Sequence, residues 1–198
     1  MTKLLYCLFL LFLTSCVEVV AIGSVTTAVI VARDKSIVDT KKDVTIGARI
    51  NTEFALNKLK GPKNSISVIV NEQRVLLTGI TDNIESSNKA SDLAWKVEGV
   101  REVINEIQIV KKKSKVKSFF NYTRDSFIST QIKTRLFFNK NVSLINFKTT
   151  TVNGAVYIIG IAKNNLEISQ VTNLVARTKG TKKVVSHLIL EGDIRRKS

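Results

Sequence analysis

The chain has 198 residues, of which 44% are hydrophobic, and it contains nine glycines and one proline. This length and composition exclude a fibrous or disordered chain and leave room for one ordinary domain or two small ones. The formal net charge of +15 indicates an anionic partner such as nucleic acid or an acidic membrane surface. A general lysine excess would instead be spread evenly, so the location of the charge decides between these interpretations.

The first sixteen residues are typical of a secretory signal. Leu4 to Leu13 is an unbroken run of ten apolar residues after Lys3, which has the length of a signal core and is too short to span a membrane. The next residues, Thr14-Ser15-Cys16, complete a motif with Leu13 that resembles the bacterial lipobox. This resemblance implies that residues 1–15 are removed as a signal peptide and that residues 16–42 form a lipidated N-terminus and tether, with lipid on Cys16.

The same stretch predicts the compartment. Cys7 lies inside the signal core, so Cys16 would be the single cysteine of the mature chain and would have no disulfide partner. Val17 stands where an Asp would resemble an inner-membrane retention signal, which favours the outer membrane of a Gram-negative cell, with the protein facing the periplasm. The alternative is an uncleaved anchor helix over residues 4–32, interrupted by Glu18.

Regular patterning begins at Asp43, which can cap a helix whose apolar face recurs every four residues at Ile46, Ile50 and Phe54. Two alternating segments, 66–70 and 75–80, predict strands joined by a turn into a hairpin. Residues 82–97 predict a second helix that Gly99 ends, and residues 103–109 a third strand. The predicted order is αββαβ.

The same order returns in the second half of the chain. Asn153-Gly154 is a strong hairpin signal, residues 164–179 predict a helix, and residues 184–190 predict the last strand. An offset of 81 residues aligns the two halves from the hairpin onward. Ile128, Ile132 and Leu136 repeat the apolar face of the first helix, where Ile128 aligns with Ile46 at an offset of 82. A repeat of this length indicates two copies of one small domain. The aligned pairs are Val75 with Val156, Gly79 with Gly160, Asn83 with Asn164, Leu93 with Leu174, Gly99 with Gly180, and Val103 with Val184.

These motifs, with the closing segment Gly99-Val100-Arg101-Glu102-Val103-Ile104-Asn105-Glu106-Ile107, resemble the BON domain family, named for bacterial osmotic-stress and nodulation proteins. A lipobox followed by two such domains resembles the dual-BON outer-membrane lipoproteins.

The expected fold is α+β, with two tandem αββαβ domains that each pack a three-stranded mixed sheet on two helices. The expected boundaries are 43–110 and 125–190 for the domains, 111–124 for a basic linker and 191–198 for a C-terminal tail. The chain departs from the family pattern at Gln73, where glycine is favoured, and the copies differ from each other at Thr181 and Ser186. The resemblance implies a non-enzymatic domain that binds phospholipid surfaces or partner proteins and helps to maintain the envelope.

The sequence offers little for catalysis. His187 is the only histidine, which excludes a metal site or catalytic triad built on two histidines, and we interpret it as a half-exposed strand residue. The second copy has two carboxylates, Asp125 and Glu167, which leaves little for paired acid and base catalysis. We therefore expect no enzyme activity, no cofactor and no metal.

The positive charge is concentrated rather than spread. The first copy has eight basic and nine acidic residues, whereas the linker has six basic residues and no acidic one, and the second copy has nine against two. A lysine-rich composition alone does not predict this asymmetry. We therefore expect the linker and second copy to contact an anionic partner. The alternative is that Lys111 to Lys117 is a solvated charge run, as such runs usually are.

Alignment of the copies adds an aromatic residue to this surface. Phe127 corresponds to Thr45 of the first copy, so it lies off the predicted core face. Aromatic rings favour the membrane interface, and basic residues near an anionic surface contribute about 1 kcal/mol each. The alternative is that Phe127 packs against the first copy. Trp95, which corresponds to Ala176, is a candidate for an interdomain contact. The predicted phospholipid-binding residues are Lys111, Lys112, Lys113, Lys115, Lys117, Phe119, Phe120, Phe127, Lys133 and Arg135.

The sequence thus predicts a lipid-anchored envelope protein that binds anionic phospholipid through its second copy and supports outer-membrane integrity. The alternative is a periplasmic scaffold module that contacts an outer-membrane assembly partner. Nucleic-acid binding fits the charge, but a secreted protein meets no cytosolic nucleic acid, so we do not expect it as a partner.

Overall fold

The computed structural model describes residues 37–61, 64–110, 115–139, 142 and 146–196, so the predicted signal peptide and Cys16 lie outside the described residues. The element order αββαβ is confirmed in both copies. Domain 1 consists of α1 (Ile37–Leu56), β1 (Ser65–Asn71), β2 (Arg74–Thr81), α2 (Ile84–Trp95), β3 (Glu102–Asn105) and β4 (Gln108–Ile109). Domain 2 consists of α3 (Lys115–Phe137), β5 (Phe147–Val152), β6 (Ala155–Ala162), α4 (Asn165–Ala176) and β7 (Lys183–Leu190), followed by a 3₁₀ helix (Ile194–Arg196).

Each domain has one mixed sheet. In domain 1, β2 lies between β1, which is antiparallel to it, and the parallel strands β3 and β4. In domain 2, β6 lies between antiparallel β5 and parallel β7. The third strand of domain 1 was predicted as one segment, but it is divided in two, whereas β7 is continuous over eight residues.

Helices cover one face of each sheet. Ile46, Ile50 and Phe54 of α1 pack with Ala90 and Ala94 of α2 on the first sheet, and all five are buried. The corresponding face of α3, with Ile128, Ile132 and Leu136, packs on the second sheet. The predicted core face of the first helix in each copy is therefore confirmed. Full burial of each such side chain contributes about 1.5–3 kcal/mol to the free energy of unfolding. Asn83 and Asn164 cap α2 and α4 by accepting hydrogen bonds from backbone N–H groups three residues on, at 2.7 and 2.9 Å.

The other faces of the two sheets pack against each other. Leu76 of β2 and Tyr157 and Ile159 of β6 are buried in a third apolar cluster that both domains share. Because side chains alternate along a strand, Leu76 faces this cluster while its neighbours Val75 and Leu77 face the helices. The described domains therefore form four layers, with helices outside and two sheets inside.

The first helix of each copy begins earlier than the sequence pattern predicted. Helix α3 begins at Lys115, so residues 115–124 of the predicted linker belong to a helix. Helix α1 begins at Ile37, so Asp43 lies inside it and does not cap it. The Asp43 carboxylate instead accepts hydrogen bonds from the backbone N–H groups of Glu72 and Gln73, at 2.9 and 2.8 Å. Its role is to hold the β1–β2 turn against α1.

Candidate functional site

Helix α3 and Phe138, the residue that follows it, present a solvent-exposed face with large aromatic side chains. Phe127 is 62% exposed and Phe138 is 75% exposed. They lie eleven residues apart, and at about 100° per residue this spacing brings them to nearly the same side of the helix. Phe137 is also exposed, and its ring meets that of Phe138 edge to face with centroids 5.2 Å apart. We call Phe127, Phe137 and Phe138 the aromatic surface.

The core anchors of α3 explain why these rings face outward. Ile128, Ile132 and Leu136 point into the core, so residues one position before or after them turn away from it. Asp125 fixes the helix further, because its carboxylate accepts hydrogen bonds from the backbone N–H groups of Asn153 and Gly154, at 2.6 and 2.8 Å. This contact repeats the one that Asp43 makes in domain 1.

The two predicted basic residues within α3 lie on different sides of Phe127. Lys133 is exposed and lines a cleft between the domains. Arg135 is exposed and donates hydrogen bonds to the Thr178 hydroxyl at 3.0 Å and the Leu174 carbonyl at 3.4 Å. On an ideal helix, Lys133 lies about 120° from Phe127 in one direction and Arg135 about 80° in the other. The two cations therefore flank the aromatic surface rather than lying within it.

The remaining predicted phospholipid-binding residues are less fully described. Residues 111–113 lie outside the described residues, and Lys115, Lys117, Phe119 and Phe120 are described only as part of the α3 backbone. Sequence reasoning missed Phe137 and Phe138. The repeat alignment could have found them, since they correspond to Ala55 and Leu56.

The contacts that join the domains come from the inner faces of the sheets. Arg74 of β2 is 1% exposed, donates to the Glu102 carboxylate, and donates to the His187 carbonyl at 3.2 Å. The Gln108 side chain donates to the Val152 carbonyl at 3.2 Å, and the Lys148 ammonium donates to the Val70 carbonyl at 2.5 Å. Trp95, the candidate for an interdomain contact, is 52% exposed in the outer helical layer of domain 1. The core and the sheet of domain 1 lie between this layer and the contacts that join the domains.

His187 takes part in this interdomain junction. Its Nε2 lies 3.1 Å from Oε1 of Glu106, and the two residues are 81 positions apart. They are therefore equivalent residues of the two copies, and such a pairing of equivalents is expected where two similar units meet about an approximate two-fold axis.

The predicted C-terminal tail also binds domain 1. The Arg196 guanidinium donates to both carboxylate oxygens of Glu72, at 2.7 and 3.0 Å. Beside it, the side-chain hydrogen bonds of Arg195 hold the pKa of Asp193 well below its usual range. The segment after β7 thus connects domain 2 to the β1–β2 turn.

Among the residues described, no group of three or more His, Cys, Asp and Glu side chains is arranged to hold a metal ion. Across the same part of the chain, no helix has both the length and the apolar content needed to cross a bilayer.

The architecture defines a protein with two tandem αββαβ domains. Residues 42–111 and 124–192 match the BON domain family, and the chain belongs to this family. A protein of Anaplasma centrale named "Uncharacterized protein in gshII 5′region" is 38% identical over 149 residues, which cover 75% of this chain and 95% of that protein. The outer membrane lipoprotein DolP of Haemophilus influenzae is 31% identical over 179 residues, with 88% of each chain covered. The 21 kDa hemolysin of Actinobacillus pleuropneumoniae is 36% identical over 95 residues, which cover 48% of this chain and 47% of that protein.

Proposed function

We propose that this chain is a lipid-anchored envelope protein whose second BON domain binds anionic phospholipid surfaces and thereby supports outer-membrane integrity. The observation that carries the proposal is the aromatic surface on α3, exposed in the more basic of the two domains. The lipobox-like sequence ending at Cys16 and the similarity to an outer membrane lipoprotein support the anchoring and the outer-membrane location, facing the periplasm.

The physical argument combines three terms. Exposed aromatic rings gain free energy at the boundary between headgroups and acyl chains. Basic residues add about 1 kcal/mol each near an anionic surface, less screening by salt. A lipid on Cys16 raises the local concentration of the domain at the membrane, so even weak contacts through α3 are occupied. The exposure of Phe127 favours this use over packing against domain 1.

Vesicle binding of the chain from residue 17 onward tests the proposal, since no acyl chain then contributes. We expect stronger binding to vesicles containing phosphatidylglycerol or cardiolipin than to phosphatidylcholine vesicles, with a loss of binding as salt rises. Equal binding to charged and neutral vesicles at low salt would overturn the proposal.

A pair of variants locates the surface. Phe127→Thr carries the residue that domain 1 has at this position, and we expect it to weaken binding about tenfold. Trp95→Ala removes an aromatic residue of similar exposure from domain 1 and is the matched control, expected to bind like the parent. Equal effects of the two changes would argue against α3 as the contact surface.

A scaffold role is the second candidate function, in which the protein contacts an outer-membrane assembly partner. The observation that favours it is a second exposed apolar pair, Ile84 and Trp95, which lie eleven residues apart on one side of α2. Copurification of a partner that survives removal of lipid and is lost in Trp95→Ala would support this role. Copurification that is unaffected by Trp95→Ala would contradict it.

A further inference from the structure

A cleft of about 450 Å³ lies where the two domains meet. Helix α3 and strand β5 of domain 2 form one wall, and strands β1 and β2 of domain 1 form the other. The volume falls within the range of about 300–1,000 Å³ that small-molecule sites occupy. Of its fourteen lining residues, eight carry a hydroxyl group.

Comparison of the two copies shows that the fold does not require hydroxyl groups at these cleft positions. Five positions of domain 2 that line the cleft are Ser or Thr, and each corresponds to an aliphatic residue or glycine in domain 1. Domain 1 therefore shows that the same fold forms with aliphatic residues or glycine at these five positions. The five pairs are Ser126 with Val44, Ser129 with Gly47, Thr130 with Ala48, Thr150 with Ile69, and Thr151 with Val70.

The corresponding space on the other side of the junction is occupied by a side chain. Ser67, which lines the cleft, corresponds to Lys148 in domain 2. The Lys148 ammonium reaches across to the carbonyl of Val70, the residue equivalent to Thr151. One side of the junction is thus closed by a lysine, whereas the serine side leaves a cleft.

The chemistry of the lining favours a neutral ligand that both donates and accepts hydrogen bonds. Hydroxyl groups do both, and Lys133 is the single cation among the lining residues. An anion would be expected to meet several cations or free backbone N–H groups. The Asp125 carboxylate is already engaged by the β5–β6 turn, and Ser129 donates to the Thr151 hydroxyl at 2.9 Å.

Tyr122 adds a flat apolar surface at this cleft. Its side chain is 73% exposed and is one of the lining residues. A ring that offers an apolar face and a polar tip next to many hydroxyl groups suits a ligand with the same mixture, such as a sugar ring with its C–H face and hydroxyl edge.

We propose that the hydroxyl-lined cleft between the two domains binds a neutral sugar unit. The unit can belong to a soluble glycan strand or to the headgroup of a glycolipid, since both present the same hydroxyl pattern. The site is separate from Phe127, because Tyr122 and Lys133 lie on a different side of α3 from that ring.

Saturation-transfer NMR on the chain from residue 17 onward tests the proposal, with N,N′-diacetylchitobiose, maltose and glycerol 3-phosphate as probes. We expect saturation transfer to at least one of the two sugars and none to glycerol 3-phosphate. Transfer to glycerol 3-phosphate alone, or to no probe, would overturn the proposal. Binding to vesicles with and without a galactolipid distinguishes a glycolipid headgroup from a soluble glycan as the source.

Substitutions with the domain 1 residues locate the site. Thr130→Ala and Thr150→Ile are each expected to weaken sugar binding about five- to tenfold, the effect of one lost hydrogen bond. Thr134→Ala, on the same helix but outside the cleft, is the matched control and is expected to bind sugar like the parent. Unchanged sugar binding in both cleft variants, with unfolding midpoints like the parent, would place the sugar elsewhere and overturn the proposal.

One further variant keeps this proposal distinct from phospholipid binding. Phe127→Thr is expected to weaken vesicle binding and leave sugar binding unchanged. Loss of sugar binding in Phe127→Thr would contradict the separation of the two sites, whereas failure of vesicle binding leaves the sugar result to be judged by itself.

Discussion

The two BON domains build the same hairpin turn from different residues. In domain 1, Glu72 and Gln73 both have positive φ, at 49° and 65°, a conformation that costs a residue with a Cβ about 1–2 kcal/mol. In domain 2, Asn153 and Gly154 have φ of 54° and 83°, and these residue types adopt such values readily. The same backbone geometry is therefore unfavourable locally in one copy and favourable in the other.

The contacts around each turn show what compensates for the unfavourable backbone conformation in domain 1. Both turns are held by an aspartate of the preceding helix, Asp43 or Asp125. Domain 1 has an additional contact, because Arg196 from beyond β7 binds the Glu72 carboxylate with two hydrogen bonds. A locally unfavourable turn is thus stabilised by a residue 124 positions away, which links the domains.

The interdomain junction is asymmetric in the same way. Arg74 of domain 1 is buried between the sheets, and the equivalent residue in domain 2 is Ala155. The fold of one domain therefore does not require an arginine at this position. In domain 1, Arg74 donates hydrogen bonds to the Glu102 carboxylate in its own sheet and to the His187 carbonyl in the sheet of domain 2.

The largest expected effect comes from a position that the copies share. A Cβ at Gly79 would lie 1.9 Å from the Ser65 carbonyl oxygen, and at Gly160 it would lie 2.3 Å from the Asn146 carbonyl oxygen. Ser65 begins the neighbouring strand β1, and Asn146 immediately precedes the neighbouring strand β5. Because both clashes are with backbone atoms, Gly79→Ala and Gly160→Ala should each lower the free energy of unfolding by about 3–4 kcal/mol. Gly79→Ala should be the worse because Gly79 also has φ of 113°. Urea denaturation measures this, and a loss under about 1 kcal/mol in either variant would contradict the close strand approach.

The repeat is also why so much of the fold could be predicted. Helical and strand periodicities occurred twice at a fixed offset, so Ile46 and Ile128, or Asn83 and Asn164, supported each other's assignment. The packing of one sheet on the other could not be read in this way, because Leu76 and Tyr157 alternate with core residues inside continuous apolar strands. Arg74 falls in the turn predicted between the strands 66–70 and 75–80, and its role could not be predicted because its partners Glu102 and His187 are distant in sequence. The exposed position of Phe127 was predictable from one comparison with Thr45, whereas the cleft depends on two domains meeting.

The next largest effect is expected at the asymmetric junction. Arg74→Ala gives domain 1 the residue of domain 2 and should lower the free energy of unfolding by about 2–4 kcal/mol, because the partners of a buried cation lose their donor. Arg74→Met fills the volume and should recover part of this loss. Lys89→Ala, an exposed change on α2, is the control in urea denaturation of the chain from residue 17 onward. If Arg74→Ala has the same free energy of unfolding as the control, the contacts of Arg74 with Glu102 and His187 contribute no net stability.

A smaller effect is expected from the C-terminal connection. Arg196→Ala should lower the free energy of unfolding by about 1–2 kcal/mol, since the half-buried pair with Glu72 is lost. Arg195→Ala is the comparison variant, because the side-chain hydrogen bonds of Arg195 go to Asp193, two residues away, and its ion pair with Glu102 of domain 1 is long, at 4.0 Å, and partly exposed. In that variant the pKa of Asp193 should rise toward its ordinary value in an NMR titration, with little change in stability. Equal losses in the two variants would argue against a special role for the Arg196 contact.

The smallest effect is the most direct test of the comparison between the turns. Gln73→Gly should raise the free energy of unfolding by about 0.5–1 kcal/mol, because glycine relieves the positive φ and offsets its own entropy cost. Gly154→Gln should lower it by about 1–2 kcal/mol, since the strain moves to domain 2, where the new Cβ lies 3.0 Å from flexible carbons of Lys182. Combining Gln73→Gly with Arg196→Ala forms a double-mutant cycle. If Arg196 stabilises domain 1 by holding a strained turn, relief of the strain should make the loss of Arg196 cost less than it does in the parent. Strict additivity would mean that Arg196 joins the domains without supporting the turn.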